Sequence, residues 1–380
     1  MEAKKWLAVF ATVTAVLLVL CIAAVVVVDP LMHYHSPLTE IFFYPLDNER
    51  SFGNGILRNT EYDALITGTS MTENFKTSEM DLLFGTDSAK VTFAAGSFYE
   101  INNNIADALR YNPNLKTVVR CLDFAGILDD ANRMVVSGSD YPDYLYDDAL
   151  LNDCRYVLNN DILFGRVYRM LRARFLKSFT PGMTSFDEYA NWMYSEEYSF
   201  GSQTLCAGLT GDLNVSGESA SLSESDREKI LTNIRQNVTA IPQQYPDVTF
   251  YYYISPYCAV WWQLENSTGA IGAMVEAERL AVEEILKCDN IRLYSFNTVT
   301  DITCDLNNYK DMMHYGEWVN TVILRMMRDG EGLLTEENYE EYFRRELELY
   351  TNYDYNSLLL QEDYEDDSLA REALYRKLGY

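Results

Sequence analysis

Histidine is almost missing from this chain, with three copies in 380 residues. Bases are scarce too: 30 Lys and Arg stand against 57 Asp and Glu, a formal net charge of −27. That balance excludes nucleic acid as a partner, because neutralising phosphates takes clustered cations. No CxxC or CxxH spacing occurs, which argues against a zinc cluster. Seven cysteines are present, one of them inside a long apolar run. The other six, Cys121, Cys154, Cys206, Cys258, Cys288 and Cys304, allow up to three disulfides in an oxidising compartment, and the spacing does not choose between pairings. No internal repeat is visible.

What the chain does have begins at its N-terminal end. Lys4 and Lys5 precede Trp6–Val28, a stretch of 23 residues whose only polar side chains are Thr12 and Thr14. At about 1.5 Å per residue, a helix of this length crosses a hydrocarbon core of about 30 Å. The apolar region of a signal peptide is shorter, roughly 7 to 15 residues, and no small-x-small cleavage site precedes Asp29-Pro30. No Lys or Arg lies between Val28 and Arg50. The expectation is a signal anchor at 6–28, a cytoplasmic tail at 1–5 and everything after Asp29 outside the membrane.

A polar, aromatic connector at 29–60 follows, and then strands and helices alternate. Tyr62–Thr67, Lys90–Ala94, Lys116–Phe124, Val248–Ile254 and Ile291–Phe296 read as strands. Ser78–Phe84, Tyr99–Tyr111, Ser225–Ile241, Ala270–Cys288 and the stretch after His314 read as helices. Alternation of this kind predicts α/β architecture: a flavodoxin-like three-layer α/β/α sandwich on a mainly parallel five-stranded sheet. Ligands of such sheets bind beyond the carboxyl ends of the strands. Ser70, Gly96, Asp123 and Ser255 all fall there.

The domain is expected to run over 61–328, broken by an insertion at about 126–222 that covers the site. The insertion carries an acidic Tyr-rich run, Asp140 to Asp148, and then a basic one of Arg166, Arg169, Arg172, Arg174 and Lys177. The basic run reads as a helix face answering the acidic surface, with a dock for an anionic polymer or headgroup as the alternative. Residues 329–380 read as an acidic helical C-terminal extension. Sequons begin at Asn214, Asn237 and Asn266.

Two short stretches could carry chemistry. In "DALITGTSMTENF" (63–75) an apolar strand runs into Gly68-Thr69-Ser70 and then into a helix-like segment. This presents Ser70 at a sheet edge, although Ser70 could equally cap the helix with Glu73 completing a Ser-x-x-Glu box. Thr69 and Thr72 read as turn residues. In "NNYKDMMHYGEWVN" (307–320), Asp311 stands three residues before His314, the one histidine outside the juxtamembrane "MHYHSPL". That spacing lets a carboxylate orient one imidazole nitrogen and leaves the other to deprotonate a hydroxyl. His33 and His35 read as solvated rather than as a metal pair. Tyr251–Tyr253 and Trp261-Trp262 read mostly as core, with sugar stacking as the alternative.

These motifs resemble the SGNH/GDSL hydrolase superfamily, over about 60–128 and 225–328. They resemble most its membrane-anchored extracytoplasmic branch, which transfers D-alanine to teichoic acids and acetyl groups to alginate. The resemblance implies Ser70 as nucleophile, His314 as base, Asp311 as its orienter, and the amides of Ser70 and Gly96 as oxyanion hole. It also implies a serine ester hydrolase or O-acyltransferase acting on an envelope polysaccharide or teichoic-acid-type polymer. No cofactor or metal would be needed, and a membrane-bound acyltransferase is a candidate partner. One departure is plain. Where the hydrolases carry an Asn after the third strand, this chain reads "CLDFAG" and places Asp123. That departure leaves a non-catalytic scaffold of the same fold as the rival expectation.

Overall fold

The computed structural model describes residues 2–135, 141–194 and 198–380. Asp140, which opens the acidic run, lies outside the described residues. The chain divides into two compact units: Met1–Glu61 with Val136–Ser185, and Tyr62–Val135 with Phe186–Tyr380.

The larger unit is built on strands that are apolar without alternation, the pattern of strands covered on both faces. Every residue of β1 (Ala64–Gly68) and β2 (Ser88–Thr92) is buried, and so is all of β3 (Thr117–Leu122) except its first residue. With β4 (Thr249–Ile254), β5 (Ile291–Ser295) and β6 (Leu333–Leu334) they form a sheet of order β2-β1-β3-β4-β5-β6. The first five strands are mutually parallel, so all five carboxyl ends point to one edge. β6 pairs antiparallel with β5 through Leu293–Leu334 and Tyr294–Leu333. The architecture is thus mixed α/β on a mainly parallel sheet, with six strands where five were expected. The additional strand lies in the C-terminal segment, whose two leucines read as part of a helical extension but complete a sheet edge. The helices Tyr339–Thr351 and Asp367–Leu378 bury Phe343, Tyr350 and Leu374, and 329–380 belongs to this unit.

Helix boundaries follow local chemistry. Ser97 and Glu100 close a capping box on Phe98–Tyr111, and Ser223 caps Glu224–Ile234 through the Asp226 amide. The expected helix 225–241 is interrupted by a π-helical stretch at Arg235–Thr239.

In the smaller unit one apolar helix, Glu2–Val28, is long and apolar enough to span a membrane. The connector beyond it is more ordered than its composition suggested. Asn48 caps a helix at Glu49–Asn59 that buries Phe52, Ile56 and Leu57. Asp29 is wholly buried; its carboxylate accepts the amides of His33, Tyr34 and His35 and the Tyr156 hydroxyl at 2.7 to 3.0 Å. His33 is buried as well, with Nε2 3.2 Å from Asp153, and the His35 ring nitrogens meet the carbonyls of Ser36 and Val26. Neither histidine is simply solvated, because the chain folds back over the end of this helix. The expected insertion at 126–222 is also divided: its 136–185 portion belongs to this unit, and the rest belongs to the larger one.

All seven cysteines are free thiols. Two of the three sequons, at Asn237 and Asn266, are buried and out of reach of a glycan.

Candidate functional site

β1 ends on Gly68. Its φ of 148° and a would-be Cβ only 2.8 Å from Thr72 side-chain atoms admit no larger residue without strain. The chain turns there into the four-residue helix Ser70–Glu73. The cap of that helix is Thr69, not Ser70: Thr69 Oγ1 accepts the Met71 amide at 3.3 Å and donates to a carboxylate oxygen of Asp123. Ser70, one position on, is released from capping, and its Oγ lies 2.8 Å from His314 Nε2.

His314 occupies the long connection after β5. Asp311 folds back on it, accepting the amides of Met313 and His314 at 2.9 and 2.8 Å. Its two carboxylate oxygens lie 3.0 and 2.9 Å from His314 Nδ1. A carboxylate at Nδ1 favours the tautomer protonated there, which makes Nε2 the acceptor for the Ser70 hydroxyl. Burial tends to raise the Asp311 pKa, but the ring and the two amides outweigh it and hold the carboxyl below its usual range. The sheet therefore brings Ser70, His314 and Asp311 into one chain of contacts from its first and last parallel strands.

Ser70 and His314 open on a cleft of about 240 Å³ lined also by Phe98, Gly126, Tyr257 and Met313. Gly96 lines it too, but its amide donates to the Phe93 carbonyl at 2.7 Å. The expected oxyanion donor is thus committed to a four-residue turn that reverses the chain after β2. Ala95 sits in that turn at φ 54°, a left-handed conformation that side chains tolerate poorly. Asp123 stands directly after β3 and does not project alone into the cleft. Thr69 holds one of its oxygens, and Cys121 Sγ lies 3.6 Å from the other. Burial raises its pKa, opposed by those two donors. The carboxylate that replaces the expected Asn thus fixes the cap of the helix carrying Ser70.

No protein-family model and no curated protein matches the chain. Among solved structures, one described as "a putative platelet activating factor from Streptococcus pneumonia" is 10% identical, covering 74% of this chain and 90% of that one with a TM-score of 0.38. A likeness so slight bears on neither fold nor function.

Several residues of the site were not read from the sequence. Lys90, buried in β2, donates from Nζ to the carbonyls of Glu73 and Phe75 at 2.5 and 2.9 Å, closing off the end of the Ser70 helix. A lysine inside the strand "SAKVT" was the signal. The Trp192 ring stands edge-on to His314 at 6.3 Å, and the Lys310 ammonium lies over Trp192 and Tyr198 at 3.9 and 3.8 Å. Arg133 pairs with Asp129 at 2.6 Å, and both line the cleft. Ser255 directly follows β4, as expected, but it is buried, with its hydroxyl 3.5 Å from that of Tyr315. Trp262 is core, stacked on Tyr350 at 4.2 Å. Among the described residues no group of His, Cys, Asp and Glu is arranged to hold a metal ion.

Proposed function

We propose that this chain is a membrane-anchored, extracytoplasmic SGNH-like enzyme that cleaves or transfers ester-linked acyl groups of a cell-envelope polysaccharide or teichoic-acid-type polymer. The observation that carries the reading is the Ser70–His314–Asp311 contact chain at the carboxyl edge of the sheet. The strand order β2-β1-β3-β4-β5 is that of flavodoxin-like sandwiches and supports a fold of this kind. Ser70 Oγ attacks the ester carbonyl while His314 Nε2 takes its proton and passes it to the departing alkoxide. An acceptor hydroxyl, or water, then attacks the acyl-Ser70 ester with His314 again as base. The Ser70 amide, at the first turn of its helix, faces the developing oxyanion, and the Gly96 amide joins it when the Phe93 turn opens on binding. In the transfer direction, a membrane-bound acyltransferase partner would supply the acyl group.

The committed Gly96 amide and the carboxylate at Asp123 favour a second reading, a scaffold of an envelope-modification complex that keeps the fold without turnover. A serine-directed phosphonate separates the two. The enzyme reading expects a covalent adduct mapped to the peptide bearing Ser70 and absent from Ser70→Ala. It also expects acetyl-ester hydrolysis about 10² to 10³ slower than that of an enzyme with a full oxyanion hole. Absence of any adduct, with polymer present or not, leaves the scaffold.

The anchor reading has its own test. The lysines before Trp6 orient the helix with its N-terminus in the cytoplasm. Protease added to spheroplasts should digest the main domain of a chain that stays with the membrane. Full protection would reverse the orientation, and release of a fragment starting near Asp29 would replace the anchor by a cleaved signal.

A further inference from the structure

The smaller unit carries a second contact surface unconnected with ester chemistry. Along most of its length the helix Glu2–Val28 is bare, but its last two turns are not: Val25 and Val28 are completely or nearly completely buried. A π-helical stretch at Asp161–Val167 packs there and continues into the helix Tyr168–Leu176. Hydrogen bonds from Tyr156 to Asp29 and from His33 to Asp153 tie the preceding turn to the same helix end. A segment docked on the last turns of a membrane span lies at the depth of the headgroups.

Its outward face has the composition that depth requires. Ile162, Val167 and Met170 point inward and are buried. Phe164, Tyr168, Leu171 and Phe175 are exposed by 60%, 57%, 41% and 86%, at spacings of four, three and four. They make an apolar stripe on the side away from the protein. Arg169, Arg172, Arg174 and Lys177 are exposed beside it. Residues 161–177 hold five bases and one acid in a chain of net charge −27, and among the described residues only Arg166 of the five is ion-paired, with Asp47. Large apolar groups interleaved with arginines are poorly placed in water and well placed at an acyl–headgroup boundary.

We infer that the segment 161–177 is an interfacial membrane-binding surface for anionic phospholipid. It inserts Phe164, Tyr168, Leu171 and Phe175 among the acyl chains and pairs Arg169, Arg172, Arg174 and Lys177 with headgroup phosphates. The inference rests on the membrane-anchor reading of Glu2–Val28 and adds a second, lipid-selective contact to it.

The test uses the full chain in nanodiscs of phosphatidylglycerol or of phosphatidylcholine, with hydrogen exchange followed by peptide. Exchange over 161–177 should be about fivefold slower or more in phosphatidylglycerol, and the difference should shrink in about 0.5 M salt. It should vanish in Arg169→Glu/Arg172→Glu/Arg174→Glu and in Phe164→Ser/Phe175→Ser, while strand peptides 64–68 and 249–254 keep their protection and so report an intact fold. Equal exchange in the two lipids, with the chain still on the disc, overturns the surface and leaves the anchor standing. Loss of the chain from the discs overturns both. Slowing by soluble polyphosphate that matches or exceeds the effect of the anionic lipid would assign the arginines to a polymer and overturn the lipid proposal.

Discussion

Replacing His314 by alanine is expected to lower ester cleavage by about 10³-fold or more, with Ser70→Ala falling to the same floor, since members of one catalytic unit are not additive. Asp311→Asn should cost about 10²- to 10⁴-fold, by a different route. The amide presents no carboxylate to His314 Nδ1, the favoured tautomer reverses, and Nε2 then holds a proton and cannot accept one from Ser70. The geometry leaves little room for a substitute base. Ser70 Oγ meets His314 Nε2 at 2.8 Å, and the neighbouring carboxylate, Asp123, is already engaged by Thr69. Initial rates on an acetyl ester and phosphonate labelling rates, measured in parallel, check the prediction. Single variants that retain more than a tenth of the parent rate would remove His314 from the role of base.

Glu346→Gln is expected to stabilise the fold at pH 8 by on the order of 2–4 kcal/mol, and by close to nothing near pH 4.5. Glu278 on the helix Ile271–Ile285 and Glu346 on Tyr339–Thr351 are both fully buried. Asn297 Nδ2 donates to Glu278 at 3.2 Å. Burial pushes the Glu346 carboxyl up to about 8, and burial together with the Glu346 charge pushes Glu278 well above the carboxylate range. With both folded-state values raised, the native state keeps protons that the unfolded chain releases above about pH 4.5. Stability must therefore fall as pH rises from about 4.5 towards 8. Glutamine carries no titrating proton at position 346, so that part of the slope should disappear. Denaturant midpoints of the full chain at the two pH values suffice. An equal difference at both would mean that the pair does not titrate in this window.

The parallel strands were legible to within two residues because their apolar runs have no period, which only a doubly covered strand tolerates. The antiparallel β6 was not legible: two leucines between a helix and a turn carry no periodicity. The glycine-serine turn and the Asp-x-x-His block stood out because each pairs a chemically rare arrangement with a strand end. What joins Ser70 to its surroundings was hidden for a different reason. Thr69 caps the helix while donating its hydroxyl to Asp123, 54 positions away, a pairing that no local pattern announces. The Gly96 amide looked available because its consumption by Phe93 depends on how tightly one turn closes. Lys310 over Trp192 and Tyr198 is likewise a contact between segments that share no local pattern.

The Ser70–His314 contact joins residues 244 positions apart. The intervening chain closes its largest loop where β4 meets β3, between Leu122 and Thr249. Loop closure of that span is costly before any pairing rewards it, and sheets of such non-local order form slowly. A nascent chain that has completed β1 to β3 already displays the serine, yet it lacks the imidazole that would make it reactive. On the proposed enzyme reading, reactivity arrives only after the last parallel strand has docked. A phosphonate added during refolding would therefore act as a clock for the final assembly step, silent through every intermediate in which the serine is already exposed.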